Sequence, residues 1–219
     1  MTEIKASDWT ILMQAVARVM TEHADLLCEM DARMGDGDLG LTMKKGYCAL
    51  PELYTSMDEP DMGKRLAKSG LKMSNVVPST MGTLMSSGWM EGGKRLVGKQ
   101  TVDAAAFADF LLGFSDGIVK RGKCTPGDRT VLDAILPAAK AAEQTAAAGS
   151  DLSATVRAAL EGAKAGVEAT KTMTPKYGKA AVFAAKALGT EDQGATAGML
   201  LIQGLCNGIQ AGSDKGALQ

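Results

Sequence analysis

Aromatic side chains make up only 4% of this 219-residue chain, and it carries a single histidine, His23. So few rings disfavour a sheet-rich fold, whose strands draw on aromatic and β-branched residues, and suit closely packed helices rich in Ala, Gly and Met. The four cysteines, Cys28, Cys48, Cys124 and Cys206, are widely separated, with no C-x-x-C pair. A chain of this size needs no disulfide staple, so free thiols are expected. No thiol has a His or Asp partner at motif spacing, which argues against a cysteine nucleophile.

An excess of charge is missing as well. Lys and Arg number 24 against 25 Asp and Glu, a formal net charge of −1. Nucleic-acid and other polyanion binders need clustered positive charge, so neither is expected as a partner. Long apolar runs are absent too. The most apolar stretch, Gly198 to Leu205, is too short to span a bilayer, and Met1-Thr2-Glu3-Ile4-Lys5 lacks the apolar core of a signal peptide. No membrane association and a cytoplasmic location are the expectations.

What is present is 46% hydrophobic and 22% charged residues, enough to bury a core. Trp9, Leu12, Met13, Val16 and Met20 follow i, i+3, i+4, i+7, i+11, which predicts a helix entered at Ser7 and running to about Met30. A Gly/Asp segment, Met34 to Gly40, follows. Further helices are predicted from Leu41 to before Pro51 and from Asp61 to Met73. Asn75 to Thr83 is punctuated like a loop. Phe107, Phe110, Leu111, Phe114 and Ile118 mark the next helix, closed by Arg121-Gly122-Lys123. Pro126-Gly127-Asp128 reads as a turn into a helix that Pro137 should kink or restart. A helix capped by Ser150 or Asp151 and a last one opened by Glu191-Asp192-Gln193-Gly194 complete the chain. No period-2 alternation and no internal repeat is visible. The reading is one all-α domain over residues 1–219, with seven or eight helices.

Three nucleotide or metal spellings match superficially. Gly35-x-Gly37-x-x-Gly40 follows a helix instead of a strand, so it is no dinucleotide-binding turn. Gly88-x-x-x-x-Gly93-Lys94 has Arg95 where a P-loop needs Ser or Thr. Asp36-x-Asp38 begins like an EF-hand but places Gly40 at the third ligand position. The same acids suit magnesium better, since Mg2+ takes a few carboxylates and completes its octahedral shell with water and phosphate oxygens. Asp31, Asp36 and Asp38 lie within eight residues, just before a helix start whose free N–H groups favour phosphate. The alternative is a solvated Asp/Gly turn.

Asp31-x-x-x-x-Asp36-x-Asp38-x-Gly40 resembles the signature of the nucleotide-binding L subunit of dihydroxyacetone kinases. Further matches follow in order: Met81-Gly82-Thr83, Gly117-Ile118-Val119 with Arg121-Gly122-Lys123, Pro126 through Ala134, Gly178-Lys179-Ala180, and Asp192-Gln193-Gly194-Ala195. The resemblance runs from about Trp9 to Cys206. It implies an eight-helix antiparallel barrel holding ADP or ATP at one end, with Asp31, Asp36 and Asp38 as ligands of two Mg2+ ions that clamp the phosphates. Leu39, Gly40, Leu41 and Thr42 would lie along the phosphates, and Ser79 and Thr80 would contact them. Gly122 and Val131 would border the adenine. Lys179 and Asp192-Gln193-Gly194 would close over the nucleotide.

The resemblance further implies phosphoryl transfer to dihydroxyacetone or a related short ketose held by a partner K subunit. A free-standing L chain most resembles the phosphotransferase-system branch, in which ADP stays bound and is rephosphorylated by a phosphohistidine protein. A nucleotide-sensing or regulatory protein without turnover is the competing expectation. This chain departs from the family at four places. Leu39 stands where His is usual, Asn75 to Thr80 replaces a Gly-Gly-x-Ser-Gly-Pro loop, Lys179 replaces Arg, and Gln193 replaces Pro. The family's ketose-capturing histidine belongs to the K subunit; His23 is expected to be a structural residue of the first helix.

Overall fold

The computed structural model describes residues 2–183 and 187–216, with the side chains of Ala180, Phe183 and residues 213–216 left aside. The helices are α1 Asp8–Glu22, α2 Ala24–Ala32, α3 Leu39–Thr55, α4 Met62–Val76, α5 Thr80–Arg95, α6 Ala104–Gly122, α7 Leu132–Ala147, α8 Leu152–Ala169 and α9 Gln193–Gly216. Single turns of 3-10 helix occupy Thr170–Thr172 and Lys179–Phe183. Two short antiparallel strands, β1 Ile4–Lys5 and β2 Thr101–Val102, tie the start of the chain to the α5–α6 connection. They are too short to show as alternation in the sequence.

The helices form a closed ring. α1 packs on α3, each helix from α3 to α8 packs on the next, α8 packs on α9, and α9 returns to α1. α2 prolongs α1 beyond a break at His23, which leaves eight helical staves among the described residues, the expected all-α, eight-helix antiparallel barrel. Inside it, Trp9, Trp89, Phe110 and Phe114 form a ring cluster, with Trp9 5.1 Å from Phe110 and 6.0 Å edge-on from Trp89. Trp9 donates its indole N–H to Met62 Sδ at 3.1 Å. The described tryptophan and phenylalanine side chains meet at this one point of the core.

Several boundaries differ from the sequence reading. The first helix does not run unbroken to Met30. It stops at Glu22, and His23, with Nδ1 2.9 Å from the Val19 carbonyl, serves as the joint. α3 continues through Pro51 to Thr55, and α7 runs through Pro137 to Ala147 without restarting. The Asn75–Thr83 loop shrinks to residues 77–79 between α4 and α5. α5 itself was not legible, because its glycines read as loop. They are contact points instead. A Cβ on Gly88 would lie 2.3 Å from Phe114, and one on Gly92 2.9 Å from Phe110. Asp61, Asp103 and Asp151 cap α4, α6 and α8, each accepting a backbone N–H three residues on.

Candidate metal and nucleotide site

The acidic segment joins α2 to α3. Asp31 sits at the last turn of α2 and is 9% exposed; its backbone carbonyl accepts N–H bonds from Met34 and Gly35. Its Oδ2 accepts the Gly37 N–H at 2.9 Å, folding the segment back on itself. Gly37 adopts φ +76°, a left-handed turn that side-chain-bearing residues resist. Asp38 holds the N-cap position of α3, yet its carboxylate makes no capping bond. As a result, one oxygen from each of Asp31, Asp36 and Asp38 lies within 4.8 Å of the others. Unpaired carboxylates repel at such range, so this donor set of hard oxygens fits a divalent cation.

Gly40 seats the site against α2. A Cβ there would fall 1.8 Å from the Ala24 carbonyl oxygen, so only glycine lets the first turn of α3 approach so closely. That turn has N–H groups without intrahelical acceptors, beside the carboxylates. The starts of α5 and α9 share this end of the barrel. Gly194 packs on Met81 and Val131, and Gly122, closing α6, packs on Leu84. Ser79 caps α5 by accepting the Gly82 N–H at 3.0 Å, and Thr80 next to it is exposed.

A crossing segment between α8 and α9, described over residues 173–183 and 187–190, brings in a cation. Lys179 Nζ stands 2.8 Å from Asp36 Oδ2, with both side chains 61% exposed. The hydrogen bond and charge of Lys179 hold the Asp36 carboxyl below the usual carboxylate range, and Asp36 in turn raises the Lys179 ammonium.

Other expected contact residues are placed differently. The Leu39 side chain is 6% exposed and belongs to the core, so only its backbone faces the site, while Leu41 is 63% exposed and Thr42 is half-buried. Val131 is 1% exposed and covered by Gly194 and Gly198 of α9, which leaves no side-chain surface to border a base. Asp192 is buried and committed to capping α9, accepting the Ala195 N–H at 2.8 Å. Burial pushes its carboxyl up to about 6, opposed by that N–H and by the charge of Arg129. Gln193 Oε1 is buried without a partner.

Asp128 and Arg129, in the turn before α7, do not cap that helix. Instead, Asp133 shapes that turn, accepting the Gly127 N–H at 2.6 Å and the Thr130 N–H at 2.7 Å. Asp128 accepts from Thr125 and pairs with Lys176, while Arg129 points its hydrogen bonds at residues 170 to 190. No short-range pattern announces those partners. A groove of about 410 Å3 lined by Leu132, Leu136, Lys140 and Met173 opens between α7 and α8, apart from the carboxylates. No described helix is long and apolar enough to cross a membrane.

Three convergent carboxylates beside the N-terminus of α3, at one end of an all-helical barrel, form a candidate cation site. The DAK2 domain model matches residues 33–207, and the chain belongs to that family. The chain is 25% identical over 185 residues to the ADP-binding subunit DhaL of the PEP-dependent dihydroxyacetone kinase of Escherichia coli K12, covering 84% of this chain and 88% of that protein. It is 31% identical over 184 residues to a D-erythrulose kinase of Mycolicibacterium smegmatis, covering 83% of this chain and 32% of that one. The dihydroxyacetone kinase of C. freundii superposes with a TM-score of 0.67 at 23% identity, over 94% of this chain and 35% of that chain. The same kinase in complex with AMP-PNP and Mg2+ superposes with a TM-score of 0.65 at 24% identity. The chain thus spans most of the free-standing subunit and about a third of the larger kinases.

Proposed function

We propose that this chain is the nucleotide-binding subunit of a dihydroxyacetone-kinase-type phosphotransferase, holding ADP or ATP with Mg2+ and passing a phosphoryl group to a short ketose carried by a K subunit. The observation that carries the reading is the convergence of Asp31, Asp36 and Asp38 within 4.8 Å beside the N-terminus of α3. Asp31, Asp36 and Asp38 would hold the cations, which when bound neutralise phosphate charge. The amides opening α3 and α5, with Ser79 and Thr80, would bind phosphate oxygens. Lys179 would move from Asp36 to a phosphate, as a point charge without the fork geometry of arginine. Phosphoryl transfer depends mainly on positioning and charge neutralisation, so this set needs no catalytic base of its own.

The free-standing relatives named as ADP-binding subunits of PEP-dependent kinases support the branch in which ADP remains bound and a phosphohistidine protein recharges it. The erythrulose kinases among the relatives keep the ketose open to a four-carbon sugar. A nucleotide sensor on the same fold is favoured by one feature, the buried Leu39 where the family usually carries His.

Calorimetric titration with ADP and ATP, with and without Mg2+, tests the reading. Tight ADP binding that requires Mg2+ supports the bound-cofactor branch, whereas a clear ATP preference supports an ATP-consuming kinase. Absence of binding by the folded chain, together with no turnover alongside a K subunit, would overturn it.

A further inference from the structure

Among the described residues of the crossing segment that carries Lys179, only Pro175 and Ala187 are buried. Ala187 packs with Met34 in a cluster separate from the main core. Tyr177, Val182 and Leu188 are 44%, 80% and 58% exposed. With so few of its described side chains buried, polar bonds at its two stems carry much of its positioning.

One side chain supplies anchors at both ends. Arg129 is 3% exposed and left-handed, with φ 60°, held so by a turn whose amides at Gly127 and Thr130 are bound to Asp133. Its Nε donates to the Thr170 carbonyl at 3.2 Å, where the chain leaves α8. Its Nη2 donates to the carbonyls of Ala187 at 3.0 Å and Thr190 at 2.9 Å, where the chain returns, and to Thr190 Oγ1 at 3.0 Å. The two stems also meet directly. Gly189 N–H donates to the Lys171 carbonyl, and Asp192 N–H donates to Thr170 Oγ1. Arg129 Nη1 is left buried without a partner. The guanidinium is buried among carbonyls, with the charge of Asp192 partly offsetting the cost of burial, and a buried cation is weak evidence of stability, so its contribution is a fixed geometry.

We propose that Arg129 is a positioning residue for the nucleotide site: its guanidinium clasps both stems of the crossing segment, holding Lys179 over the carboxylate cluster and fixing the start of α9. The positioning role rests on the nucleotide-site reading above; the clasp itself does not. Lysine would keep the charge, yet a single ammonium cannot span two stems as a planar fork does.

The clasp is tested by timed trypsin digestion of the whole chain, with mass spectrometry of cuts after Lys176 and Lys179. Arg129→Lys is expected to speed these cuts about tenfold or more relative to cuts in the barrel. Thr190→Val, which removes one acceptor and leaves Arg129 in place, should shift them the same way by less. Unchanged relative rates in both variants would overturn the clasp. Should Arg129→Lys fail to fold, Thr190→Val decides alone.

The positioning role is tested by a double-mutant cycle on MgADP affinity with Lys179→Met. If Arg129 acts through Lys179, the double variant loses little beyond Lys179→Met alone. Fully additive losses would assign Arg129 a structural role only. Wild-type protein that binds no MgADP would overturn the nucleotide reading and with it the positioning role, while the digestion still decides the clasp.

Discussion

Lys179 Nζ lies 2.8 Å from Asp36 Oδ2, so one of the three convergent carboxylates is already paired with a cation of the protein's own. Any ion held there by all three acids must share Asp36 with Lys179 or displace it. Lys179→Met should therefore tighten binding of Mn2+ alone, by a few-fold at low salt and less at high salt, because the competing charge is exposed and screened. Titration followed by electron paramagnetic resonance of free Mn2+ checks this. In the presence of ADP the same substitution should weaken binding, since the ammonium then has a phosphate to meet.

Asp36→Asn keeps the size of the side chain and removes its charge. The expected result is at least about a tenfold loss of Mg2+-dependent nucleotide affinity with an unchanged circular dichroism spectrum, since Asp36 is exposed and packs against nothing in the core. Removal of metal from the wild type by a chelator should reproduce the loss. Phosphotransfer by Asp36→Asn at the wild-type rate with its partners would exclude the metal clamp.

Asp192 gives the stability a pH dependence of definite sign. Burial raises its carboxyl to about 6 in the folded chain, against about 4 when unfolded. Between those values the native state holds the proton more tightly than the unfolded state, so this group's contribution falls as pH rises and levels off above about 6. Asp192→Asn removes the titration while keeping an oxygen to cap α9. Urea unfolding across pH 4 to 7 should show the variant gaining on the wild type as pH rises.

Gly40→Ala places a methyl group 1.8 Å from the Ala24 carbonyl oxygen, a backbone atom that cannot rotate away. Overpacking of this kind costs about 1–3 kcal/mol or more. Relief requires α3 to slide off α2, which moves Asp38 relative to Asp31. Thermal unfolding should report the first effect, and a parallel fall in Mg2+ affinity the second.

The spacing of Trp9, Leu12, Met13, Val16 and Met20 disclosed α1 because each of these residues is buried on one face. The aspartates were visible because they sit within eight residues of one another. α5 was hidden because its packing is carried by glycines, which make contact by lacking a side chain. Pro51 and Pro137 suggested breaks, yet α3 and α7 each run on through them. The clasp of Arg129 had no local signature at all, since its partners are mostly main-chain carbonyls 41 to 61 residues onward. Lys179 entered through family resemblance alone; nothing in its own neighbourhood points to Asp36.

Most seams of the barrel join helices that are close in sequence, so they can zip progressively along the chain. The seam between α1 and α9 is the exception, with Gly204 seated on Val16 and Gly208 on Leu12. Its formation must gather the whole intervening chain, and loop-closure entropy makes such contacts late and slow. A barrel with that seam open would leave the apolar faces of α1 and α9 exposed to water. A bulky residue at Gly204 should then hold the protein in that half-closed, aggregation-prone form while leaving the Asp31–Asp38 turn, on the opposite terminus of α2, free to fold.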